Sequence, residues 1–207
     1  MRKILVLLGI LLLPALACAR GLSFSEEMHG YAYYHGEYRY AHAYFRVVIN
    51  DIDAWRGNQN YAATLSGTVY LDRLAGQPVT GTLQILAPAS GGDGRLLTYR
   101  FAGGGLQFAG VKHVRDDVGL DLVDDMTTLR GSFAAQGQAL PAIHDLLYGA
   151  AWTSELQFEW WKPAVLWDFS ASFQTINTPW YEDLYVKILF LKTVLGSLAR
   201  VFFPWAI

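Results

Sequence analysis

The chain has 207 residues, 14% of them aromatic and 16% charged, with a formal net charge of −2. That length suits one domain with an ample core, and so aromatic and charge-poor a composition excludes intrinsic disorder. The balance offers no basic field for nucleic acid, and the single cysteine, Cys18, excludes a disulfide framework and a Cys/His metal spacing.

The first residues read as an export signal, 1–19. Arg2 and Lys3 form a positive start, residues 4–13 are apolar, Pro14 breaks the run, and Ala15, Ala17 and Ala19 are small. A cut before Arg20 leaves one domain, 20–207, with no cysteine and a net charge of about −4. Alternatively, Leu16-Ala17-Cys18 resembles a lipoprotein box, which would make Cys18 a lipidated N-terminus. Either route predicts a periplasmic or secreted protein, lipid-anchored in the second case.

Residues 24–34 and 37–50 alternate as a strand pair around His35-Gly36. Ala41, Ala43, Phe45, Val47 and Ile49 share one face of the second strand. Tyr38, Tyr40, His42, Tyr44 and Arg46 share the other. The first strand adds His29, Tyr31 and Tyr33 on a single face. This Tyr/His stripe reads either as a half-exposed outer face or as an aromatic wall for a ligand.

Asn50-Asp51 is placed to cap a helical turn over 52–56, closed by Gly57. Residues 61–71 alternate again, 74–78 read as a turn, and 79–85 as the next strand. Residues 88–94 read as a loop. Leu97, Tyr99 and Phe101 mark a strand, and Gly103-Gly104-Gly105 turns into another over 106–115. None of these glycines has the spacing of a phosphate loop.

Five carboxylates then crowd residues 110–129: Asp116, Asp117, Asp121, Asp124 and Asp125. Three readings compete. Aspartates cap turns, and Lys112, Arg115 and Arg130 are near enough in sequence to pair with them. Calcium wants several carboxylate oxygens, but the spacing does not match an EF-hand loop. Acid/base catalysis needs a facing pair, whereas adjacent Asp116 and Asp117 on an extended chain point apart. No GxSxG elbow and no local Ser/His/Asp arrangement is present.

Residues 127–133 form a further strand, 143–148 a brief helical turn, and 153–160 a strand with Leu156, Phe158 and Trp160 inward. Pro163 opens a helix to about residue 173. Residues 177–179 break the chain, and 181–203 read as a long apolar helix. Thr178 is its expected N-cap, Pro179 its first position, with Glu182 and Asp183 in the first turn. Lys187, Lys192 and Arg200 in its interior argue against spanning a bilayer. It is expected to cover a mouth or face of the domain, or to lie on a membrane surface. The pattern predicts a mainly β protein of about eight antiparallel strands, a barrel (lipocalin-like in one form) or a sandwich, with C-terminal helices.

The run GVKHVRDDVGLDLVDDMTTL, with Gly110, Lys112, Asp116, Asp117, Gly119, Asp121, Asp125, Thr127 and Thr128, resembles a pattern G-[FV]-K-x-[VI]-x-[DN]-D-x-G-x-D-x-W-x-D-T-T-T-L. That pattern belongs to a β-rich accessory region of bacterial glucose-methanol-choline flavin oxidoreductases, cholesterol-oxidase-like ones especially. Phe24 to Tyr31 is similar to its opening F-x-E-x-M-x-G-[YH], and the segments VINDID, SGTV and LTYRF also fit in order. Val118, Val123 and Met126 depart from its Pro, Trp and Thr. No dinucleotide-binding glycine turn is present. The resemblance therefore implies an accessory domain standing alone and carries no oxidase activity or cofactor with it. The expectation is a non-enzymatic exported protein that binds an apolar molecule, lipid or sterol-like, or docks onto a partner oxidoreductase. The alternatives are a hydrolase or lipid-modifying enzyme using Asp116–Asp125, or a structural envelope protein.

Overall fold

The computed structural model describes residues 19–58, 60–72, 75–90, 92, 94–116, 122–148 and 152–203. Residues 1–18 of the expected export segment, Cys18 among them, and the motif residues Asp117, Gly119 and Asp121 lie outside the described residues.

Period-two alternation becomes a closed wall. Strand β1 (Gly21–Tyr34) turns at His35-Gly36 into β2 (Glu37–Ile49). Both turn residues have positive φ, 52° and 85°, which suits a two-residue hairpin between twisted strands. Helix α1 (Ile52–Gly57) follows, with Asp51 as its cap: the carboxylate accepts the backbone N–H groups of Asp53 and Ala54 at 3.0 and 2.9 Å. Strands β3 (Ala62–Leu71), β4 (Gln77–Pro88), β5 (Arg95–Gly103), β6 (Leu106–Val114), β7 (Thr128–Ala135) and β8 (Ser154–Gln157) each run antiparallel to the one before. β8 then pairs with β1, Gly30 opposite Leu156, so eight strands close as an up-and-down barrel rather than a sandwich. A ninth, β9 (Gln174–Ile176), adds to the start of β1, with Leu22 opposite Thr175. β1 thus has three partners.

The inward positions form the main core, among them Met28, Phe45, Val69, Leu83, Phe108 and Leu129. Closing so small a barrel bends its strands sharply, and inward glycines allow it. A Cβ on Gly30 would run into the carbonyl of Glu155, and one on Gly81 into that of Arg100. A smaller cluster lies outside the wall. There α3 (Ile143–Tyr148) lays Leu146 against Ala109, Val111 and Leu96.

Helix α2 (Leu122–Thr127) leads into β7, and α4 (Pro163–Ala171) and α5 (Asp183–Phe202) gather at one end of the barrel. α5 buries Val186, Leu189, Phe190 and Ser197. Phe190 meets Phe24 at 5.8 Å, Phe173 at 5.7 Å and Trp55 at 5.6 Å between ring centroids. Arg20 fastens the same end, donating to Asp53 at 2.6 Å and to Glu182 at 2.9 Å. Among the described residues no helix is long and apolar enough to cross a membrane.

Four local expectations change. β4 extends beyond 79–85 at both ends: Gln77 and Pro78 already pair with β3, and a bulge between Gln84 and Ala87, with Leu86 at φ 56°, carries the strand past the break in alternation. Trp160 does not face inward: β8 ends at Gln157 and Trp160 sits in the following turn, 43% exposed. Thr178 is not the cap of the long helix, since its hydroxyl donates to the carbonyl of Ile176 at 2.9 Å. Glu182 holds the cap position, with its carboxylate on Arg20. Finally, β9 is too short for any periodicity to announce it.

Candidate functional site: a roofed apolar cavity

The end of the barrel beneath α5 and α4 is not filled. A cavity of about 250 Å³ remains, walled by Leu83, Ile85 and Leu97 from the barrel and by Phe169, Phe190 and Val194 from the helices. Its lining is overwhelmingly apolar, the usual character of a small-molecule site. An apolar cavity of about 150 Å³ can stay dry and bind benzene, so this space admits a larger apolar group.

Three polar side chains meet at the wall. Glu26 comes from β1, Tyr99 from β5 and Lys112 from β6, all inward positions of their strands. Tyr99 and Lys112 are 0% and 1% exposed, Glu26 7%. The Lys112 ammonium donates to one oxygen of Glu26, and the Tyr99 hydroxyl donates to the other at 2.7 Å. The ammonium also stands 5.4 Å from the Tyr99 ring centroid, within cation–π range. Burial first, and then the Glu26 carboxylate, push the Tyr99 phenol well above its ordinary value. A neutral phenol and an ion pair therefore face an apolar space. All three residues fall in the segments that carry the sequence resemblance, which the barrel brings together from 26, 99 and 112.

No protein-family model, characterised protein or solved structure matches this chain.

Of the basic residues expected to pair with the acidic stretch, Arg115 meets it through Asp125, while Lys112 and Arg130 are engaged elsewhere. Lys112 does not reach it, because the side chain points into the barrel and is held by Glu26. Arg130 ion-pairs with Glu155 on the neighbouring strand at 3.1 Å. Asp125 accepts the backbone N–H of Arg115 at 3.0 Å, and Asp124 accepts the Thr128 hydroxyl at 3.2 Å. Thr127 donates to the Val123 carbonyl at 2.6 Å. These bonds tie α2 to the strands on either side. Asp116 is exposed. Gly110 sits opposite Gly131, and side chains at either position would strike the Phe108 ring.

The Tyr/His stripe lies on the outer face of the β1–β2 hairpin, away from the cavity. Tyr31, Tyr33, Tyr38, Tyr40 and Tyr44 are between 43% and 79% exposed and pack edge on edge, Tyr33 with Tyr38 at 5.2 Å and Tyr31 with Tyr40 at 5.9 Å. His29 and His42 lie directly opposite each other in the register. Sequence reasoning passed over Glu26 and Glu27. The alternation does place Glu26 on the inward face with Phe24 and Met28, and a carboxylate at such a position was the available signal.

Proposed function

We propose that the chain is an exported carrier that holds an apolar small molecule, one chain or ring system of a lipid or sterol-like compound, beneath α5 and α4. The cavity carries this reading: its apolar walls match such a ligand, and its lone polar centre suits a ligand's hydroxyl, carbonyl or carboxylate end. Lys112 has three N–H donors, of which Glu26 takes one, so an acceptor arriving from the cavity has a partner. The resemblance to an oxidoreductase-associated region supports a partner enzyme that handles the same molecule.

Purified protein is expected to bind cis-parinaric acid, a fluorescent fatty acid, saturably at one site. Leu97→Trp fills the space and is expected to weaken binding at least tenfold. Native mass spectrometry should show a co-purified lipid on the wild type. A folded wild type that binds no fatty acid and carries no lipid would overturn the reading.

The outer side of α5 favours loading at a membrane surface. Leu184, Ile188, Leu191 and Leu195 form an exposed stripe at helical spacing, flanked by Lys187 and Lys192. Trp167 and Trp180 stand 74% and 88% exposed at the same end of the chain, side chains suited to a lipid interface. Wild type is expected to sediment with anionic vesicles. Leu184→Glu/Ile188→Glu should lose that sedimentation without a change in melting temperature, because neither side chain is buried. Equal sedimentation of both proteins would remove the membrane reading and leave the cavity reading untouched.

A further inference from the structure

We propose that Glu27, His29 and His42 form a binding site for a zinc-class divalent metal on the outer face of the β1–β2 hairpin. The site is built by register. Glu27 and His29 are two residues apart on β1 and so share a face, and His42 is the cross-strand neighbour of His29. The two imidazoles stack with centroids 4.4 Å apart and planes 9° from parallel. Their Nε2 atoms converge on one carboxylate oxygen: Glu27 Oε1 is 2.7 Å from His42 and 3.2 Å from His29. All three donor atoms lie within 4.8 Å of one another. Neighbouring ligands in a tetrahedral zinc shell lie about 3.3 Å apart, given metal–ligand bonds of about 2.0–2.1 Å. A small opening of the His42–Glu27 pair therefore admits the ion.

The surroundings orient these ligands as outer-shell groups do around metal-bound histidines. Tyr40 Oη is 2.6 Å from His29 Nδ1, so Nδ1–H donates to the phenol when Nε2 binds metal. The Tyr70 ring stacks on His42 from β3 at 5.4 Å and 16°. Glu159 stands close by, with Oε2 4.0 Å from His29 Nε2 and Lys162 on the same oxygen at 2.6 Å. Two imidazoles and one carboxylate select zinc, cobalt or nickel over calcium and magnesium, which prefer oxygen alone. Three protein ligands leave a fourth position for water or for a group presented from outside. The cluster lies on the barrel's outer face and is independent of the cavity.

Untagged full-length protein, stripped with chelator, would be titrated with cobalt(II) and then zinc. One equivalent per chain is expected, with the intense visible absorption of tetrahedral cobalt bleached by zinc. Glu27→Gln and His42→Gln each remove a ligand and should weaken binding by more than the about 10–100-fold seen when only an outer-shell partner is lost. His144→Gln, at an exposed histidine elsewhere, should change nothing. These side chains are partly solvent-exposed, and unchanged melting curves without metal would confirm that the variants fold. Absence of stoichiometric binding, or binding indifferent to both Glu27→Gln and His42→Gln, would overturn the site.

Discussion

Lys112→Met should cost the barrel about 3–5 kcal/mol, the loss expected when one partner of a buried ion pair is removed and the other is stranded. The stranded group is Glu26, whose other oxygen already holds the Tyr99 hydroxyl. The double variant Glu26→Leu/Lys112→Met should recover most of that loss, because a well-packed apolar pair needs no desolvation of charge. Urea melts of the two variants and wild type measure both figures. Equal instability of the single and double variants would show that packing volume, not charge, dominates there. The same centre gives an alkaline signature. The Tyr99 phenol is held well above its ordinary value of 10.0, chiefly by burial and then by Glu26. Its neutral form contributes fully below that ordinary value, and the contribution is lost as pH rises from there toward the raised one.

Gly81→Ala is the second large effect, about 3 kcal/mol, at the upper end of overpacking costs. The added carbon would meet the carbonyl of Arg100 and the Cα of Phe101, all backbone atoms of a paired strand that no rotamer change can clear. Gly36→Ala offers the contrast. Nothing lies within 4 Å of its new carbon, and only its φ of 85° is unfavourable. That substitution should cost about 1–2 kcal/mol, the penalty of a left-handed residue. Thermal melts that rank Gly36→Ala below Gly81→Ala in stability would contradict this picture of the wall.

Much of the barrel was legible because its strands obey one rule. In β2 the alternation from Ala41 to Ile49 separates core from solvent residue by residue, and the structure keeps that separation. Legibility failed where a local exception overruled the period. Leu86 in a bulge prolonged β4, and the end of β8 at Gln157 turned Trp160 outward. The polar centre was hidden for another reason. Lys112 sits beside five aspartates in sequence, and proximity along the chain suggests pairing with them. Its place on the inner face of β6 sends it instead to a carboxylate 86 residues away. The His29–His42 pair was hidden similarly, since a hairpin's face can be read from alternation but the two stacked rings emerge only from its register.

The three partners of β1 bear on how the molecule is made. β1 is made long before residues 154–157 and 174–176, which complete its hydrogen bonding. The β1–β2 hairpin is local in sequence, but the other edge of β1 pairs only with these much later segments. An unpaired edge in a nascent chain is a template for wrong partners. Glu27 and Arg39 on this hairpin are charged side chains of the kind that blunt an exposed edge. Closure of the barrel is therefore a nonlocal contact, the kind whose loop-closure entropy slows folding.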